Sequence, residues 1–167
     1  MAEEQKTEAA IVNKPAFRAV GLRWEGTFAE AGAGGIRAMQ KRFKERLGEI
    51  EGAKDPGSLL GLSYHAYPGG EGFVHVAAVE VGSEGGEAAV PEGMTAVSVP
   101  ALAYASCRHR KGQSIDRSYR NLYQWIEEQG CAVHPGELTH FEVYPMEQDP
   151  YDRDPEFEIL IPVAPKK

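Results

Sequence analysis

Cysteine is scarce in this 167-residue chain: Cys107 and Cys131 are the two present, with no CxxC spacing and too small a number for a disulfide framework. They read as reduced thiols. No apolar run approaches the roughly 18 to 20 residues that a membrane-spanning helix requires. Met1 to Lys14 is polar and charged, without the basic start and apolar stretch of a signal peptide. The expectation is a cytoplasmic protein with no membrane contact. Basic residues number 18 against 25 acidic ones, a net charge of -7. A protein that grips nucleic-acid phosphates carries a basic stripe, so direct nucleic-acid binding is not expected. The acidic balance suits solubility, a cationic ligand or a positively charged partner equally. HExxH, GxSxG and phosphate-loop patterns are missing, and the five histidines lack metal-ligand spacing. No cofactor and no metal are expected.

What is present is a pattern of strands and helices. Residues 1–14 carry little beyond Ile11 and Val12 that could fold, and read as a flexible arm before a single domain over 15–167. Phe17 to Phe28 mixes aromatic and β-branched residues and meets the glycine-rich AGAGG, a strand running into a turn. Ile36, Met39, Phe43, Leu47 and Ile50 recur at spacings of three and four, which predicts a helix over 36–51. Leu59 to Tyr67 and Phe73 to Val81 read as a hairpin, and Ala96 to His109 as one or two strands broken at Pro100. A second helix is predicted over 114–130, with Ile115, Tyr119, Leu122 and Ile126 on its apolar face and Gly130 as its stop. Leu138 to Tyr144 and Phe157 to Val163 form a closing hairpin around an Asp- and Pro-rich loop.

The order is strand, helix, strand, strand, given twice. VGLRWEG at 20–26 resembles ASCRHRKG at 105–112, and YHAYP at 64–68 resembles FEVYP at 141–145 at an offset of 77. Duplication of one supersecondary unit explains this, because a single unit would leave a sheet face uncovered. The expected fold is α+β: two strand-helix-strand-strand units, about 15–82 and 96–164, with antiparallel sheet, two helices and a pseudo-twofold central cleft.

The segment RHRKGQSIDRSYRNLYQWIEEQG, followed by HFEVYP, an acidic loop and FEILIPV, resembles the GyrI-like family of small-molecule-binding domains, which also form the effector-binding halves of AraC-type and MerR-type regulators. The resemblance runs over roughly Phe17 to Val163 and implies a ligand cleft between the two units. It also implies a carboxylate on the penultimate strand with aromatic side chains around it. The matching carboxylate is Glu142; Phe157 stands where multidrug-sensing members can carry a tyrosine, so the ring is kept without its hydroxyl. No helix-turn-helix pattern precedes Pro15, which suggests a stand-alone domain.

Alternation puts His140, Glu142 and Tyr144 on one strand face and Phe141 and Val143 on the other. A buried carboxylate is costly unless paired, and a bound cation with rings over its apolar body would supply the pair. Under the repeat alignment His65 takes the place of Glu142 in the first unit, and Trp24 corresponds to His109. Trp24, Tyr104, Tyr144, Phe157 and His65 are therefore expected around Glu142, and Tyr119 in the core. The leading function is binding of lipophilic, cationic small molecules. A hydrolase of reactive cyclopropane-containing natural products, using Glu142 as its catalytic carboxyl, is the alternative. Inhibition of DNA gyrase through a protein-protein contact is a third.

Overall fold

Two helix starts are specified by side chains that replace missing backbone partners. Thr27 Oγ1 accepts from Glu30 N at 3.1 Å while Thr27 N donates to Glu30 Oε1 at 2.9 Å, a reciprocal capping box. Ser114 Oγ accepts from Arg117 N at 3.2 Å. The computed structural model describes residues 8–66, 71–82, 90–134, 136–152 and 154–165. Along them run β1 (Ala9–Lys14), β2 (Phe17–Gly26), α1 (Phe28–Gly32), α2 (Gly35–Glu45) with a 3-10 turn at Leu47–Glu49, β3 (Ser58–Tyr64), β4 (Phe73–Val81), β5 (Thr95–Val99), β6 (Leu102–His109), α3 (Ile115–Glu128), β7 (Cys131–Val133), β8 (Leu138–Pro145) and β9 (Phe157–Pro165).

The strands form one sheet in the order β1-β6-β9-β8-β3-β4-β2-β5, with β7 alongside β9, and every described pairing is antiparallel. The two long helices lie near their expected positions, and the two expected hairpins are β3–β4 and β8–β9. Tyr67, assigned to the first hairpin from sequence, lies outside the described residues.

Three expectations are corrected. Residues 9–14 of the expected arm pair with β6 as an edge strand, with Val12 packing inward. The turn after β2 contains a third helix, α1, which the capping box starts. His65 was expected to face Glu142 across the cleft, whereas Gly61 sits opposite Glu142 and His65 is an exposed residue beyond the end of β3.

α2 lays Met39 and Phe43 over Val20, Leu59 and Val79, covering one flank of the sheet. α3 lays Leu122 and Ile126 over Ala105, Ile159 and Ile161, covering the other flank. Such apolar stripes are what hold short helices in place, since isolated helices of this length are marginal in water. On the opposite face Leu60, Leu62, Val76, Tyr104, Phe141 and Leu160 are buried together. Val12 of β1 and Val97 and Val99 of β5 join them, so the sheet curls around its own second face. The helices cover the flanks, and the central strands β3 and β8 are left between them.

Candidate functional site

Over those central strands lies a cavity of about 770 Å³. Its floor is Leu59 and Ser63 of β3, His75 of β4, and His140, Glu142 and Tyr144 of β8. One wall is the Ile36, Arg37, Gln40 and Lys44 side of α2; the other is Ile115, Asp116, Tyr119 and Tyr123 of α3. Phe28 and Ala31 of α1, with Gln148, Asp149, Pro150, Asp152 and Pro155 of the loop after β8, roof it. That loop is tied on both sides: Lys44 Nζ donates to the Gln148 carbonyl, Lys111 Nζ pairs with Asp152 at 3.5 Å, and Gly112 N donates to Asp154 Oδ1 at 2.7 Å.

Glu142 is the centre of the floor. Tyr119 donates its hydroxyl to Oε2, and Tyr144 donates to Oε1 at 2.8 Å. Burial pushes the Glu142 carboxyl above its ordinary pKa, and the two phenol hydrogen bonds oppose that shift. Burial and the neighbouring carboxylate hold both phenols well above their ordinary range, so they remain donors. No ion pair to Glu142 occurs among the described residues.

Aromatic rings frame the carboxyl. Tyr144 stacks on Phe157 at 4.7 Å, and Phe157 in turn lies 5.0 Å from His109. Tyr123 hydrogen-bonds His140 Nε2 at 2.5 Å, while Tyr119 meets the same imidazole edge-on at 5.1 Å. His75 shares a 2.9 Å hydrogen bond between Nδ1 and Ser63 Oγ. Burial lowers both histidines to a pKa of about 4, with His140 adding to the effect at His75, so both are neutral at neutral pH.

Of the residues expected from sequence, Glu142, Tyr144 and Phe157 come together here. Trp24 lies one layer back, 5.3 Å from Phe73, which does line the cavity. Tyr104 is a correction: it is 0% exposed on the opposite sheet face, with its ring 5.7 Å from Phe141, because even-numbered positions of β6 point away from the helices. His65 is a second correction, an exposed residue at φ 61° outside the cavity lining. Tyr119 is the third: expected in the core, it reaches Glu142 and forms the α3 wall. Sequence reasoning also passed over His75, Tyr123, Arg37 and Gln40. Tyr123 was within reach, four residues after Tyr119 on the same helix side.

The GyrI-like small molecule binding domain family matches residues 7–164. The chain belongs to this family. It is 34% identical over 158 residues to the transcriptional regulator BrlR of Pseudomonas aeruginosa, covering 93% of this chain and 55% of BrlR. It thus spans about half the length of that relative. The EcmrR C-terminal domain superposes with a TM-score of 0.66 at 17% identity, over 96% of this chain and 99% of that one. SAV2435 bound to tetraphenylphosphonium gives 0.65 at 15% identity, over 94% of each chain. A hydrolase from Listeria innocua gives 0.55 at 10% identity, over 96% of this chain and 94% of that one. These likenesses establish the α+β fold, a mostly antiparallel sheet with three helices in this GyrI-like domain, and membership makes it a small-molecule-binding domain. No helix among the described residues is long and apolar enough to cross a membrane.

Proposed function

We propose that this GyrI-like domain binds lipophilic cations in the cavity, with Glu142 as the counter-charge. The observation that carries the reading is a carboxyl sunk into a ring-lined floor, held by two phenols and by no cation among the described residues. A charge in such a place is poorly solvated until a ligand supplies its opposite, and aromatic faces favour the same cation. The tetraphenylphosphonium bound by SAV2435 is a ligand of this class. The sheet order also supports the duplication reading, since β6-β9-β8 and β3-β4-β2 mirror one another about the β8–β3 pair, directly beneath Glu142. Titration calorimetry of tetraphenylphosphonium and neutral triphenylphosphine oxide on Glu142→Gln tests the reading. The cation weakens more than tenfold, about 1.4 kcal/mol, and the neutral compound changes little; equal losses for both would sink the charge pairing.

A hydrolytic reading draws on the same carboxyl, because its raised pKa favours a proton that a leaving group could take. Product analysis on bound ligands separates the two readings. Turnover that disappears in Glu142→Gln while binding persists would establish the hydrolase.

A further inference from the structure

The α2 wall carries the cavity's basic side chains. Arg37, Gln40 and Lys44 follow one another at spacings of three and four, so they share a helix face, and all three line the cavity. Lys44 is committed: its ammonium donates to the Gln148 carbonyl and feels Asp149. Gln40 is 6% exposed as a residue and lines the cavity. An amide on a cavity wall can donate to an oxyanion that enters the cavity.

The charges of the cavity point the same way. Asp152 is paired with Lys111, and Asp116 with Arg120 at 3.0 Å. Asp149 accepts from Tyr151 N at 2.9 Å and offsets Lys44. That leaves Glu142 and Arg37, which lack an ion-pair partner among the described residues, and the two are not paired with each other. The Arg37 charge is felt at the Tyr144 phenol, which itself donates to Glu142, so both groups act on the same enclosed space.

We propose that Arg37 and Gln40 form a second polar subsite, for a carboxylate, sulfonate or phosphate group, so that the preferred ligand is zwitterionic, with its cation at Glu142 and its anion on α2. This rests on reading the cavity as the binding site and adds to it the second charge of the ligand. A planar guanidinium offers two parallel N–H donors to such an oxyanion, and the Gln40 amide offers a third beside it. A simple cation would satisfy Glu142 and leave Arg37 and Gln40 as they are. A zwitterion satisfies all three.

Three dyes separate the possibilities by fluorescence titration: rhodamine B, which carries a cation and a carboxylate; its ethyl ester, which keeps the cation alone; and 8-anilinonaphthalene-1-sulfonate, an anion. The wild-type domain binds rhodamine B more tightly than the ester. Arg37→Gln weakens rhodamine B and the sulfonate by more than about tenfold while the ester is unchanged or tightens. Arg37→Lys restores most of the loss, Gln40→Leu weakens the same two dyes by a smaller factor, and circular dichroism shows each variant folded. The subsite is overturned if Arg37→Gln weakens rhodamine B and its ester equally, or leaves rhodamine B unchanged. If Glu142→Gln leaves both cationic dyes unaffected while Arg37→Gln still abolishes sulfonate binding, the cation reading fails and the subsite stands. Failure of all three dyes to bind the wild-type protein overturns both.

Discussion

Gly61 lies directly opposite Glu142 in the β3–β8 ladder, and the space its missing side chain leaves is taken by the His75 and Tyr144 rings. A Cβ at position 61 would sit 3.0 Å from His75 Cε1, 3.2 Å from its Nε2 and 3.6 Å from Tyr144 Cε2. The emptiness of one strand position thus sets the arrangement around the carboxyl on the next.

Gly61→Ala is expected to destabilise the domain by about 1 to 3 kcal/mol, as overpacking does, because the His75 ring must move and its bond to Ser63 is strained. The same change weakens cationic ligands. Chemical denaturation and titration on one preparation check both, and a variant as stable as wild type with unaltered affinity would show that the contact yields freely.

Tyr119→Phe keeps the ring and removes one of the two donors to Glu142. With only Tyr144 left opposing burial, the carboxyl pKa rises further, and the pH at which cation affinity reaches half its maximum moves upward. Affinity against pH for tetraphenylphosphonium measures this. An unmoved profile would return Tyr119 to a purely structural place in the apolar stripe of α3.

Leu122 belongs to the core alone, packed under α3 against β6 and β9 and absent from the cavity lining. Leu122→Ala costs about 2 to 5 kcal/mol of stability with ligand affinity preserved wherever the domain stays folded. Phe157 is different: only 2% exposed, it also backs Tyr144, so Phe157→Leu is expected to lower both stability and affinity. Affinity loss at Leu122 with none at Phe157 would reverse this division.

Stability against pH carries two opposed slopes. Glu142 has a folded pKa above its ordinary value, so the native state binds the proton more tightly. Stability from this group is greatest below the ordinary carboxylate range and falls as pH rises through the window up to the raised value. His75 and His140 have folded values of about 4 against 6.5, so the unfolded chain binds more protons between those limits and stability rises with pH across them. Urea midpoints from pH 3 to 8 are expected to lose part of the histidine rise in His75→Asn and the carboxylate fall in Glu142→Gln. A histidine variant with the wild-type slope would contradict the burial of that charge.

Much of this was legible in the sequence where one signal had one cause. Strict alternation through His140, Glu142 and Tyr144 gave the floor its face, and helix periodicity placed α2 and α3. Tyr119 was misread because an apolar helix stripe looks the same whether its edge meets packed side chains or an empty cavity. Tyr104 was misread because both faces of β6 are apolar, so alternation could not say which one the helices cover. His65 was misplaced because equivalence between repeats says which strand position a residue takes, not whether the chain there has already left the strand: β3 ends at Tyr64, and His65 turns out at φ 61°. α1 is five residues long, too short for a period, though Thr27 and Glu30 spelled its start.

The seven residue pairs joining β3 to β8 run beneath the whole floor, and the strands carrying α2 and α3 extend from that seam on either side. Spreading the walls would shear a continuous ladder, whereas lifting the roof disturbs only a one-turn helix with no buried residue and a loop held at a few points. Breadth is thus gauged by the backbone and thickness by yielding parts. Molecules of one width and differing depth are therefore expected to share the cavity, and broader frameworks to bind it less tightly.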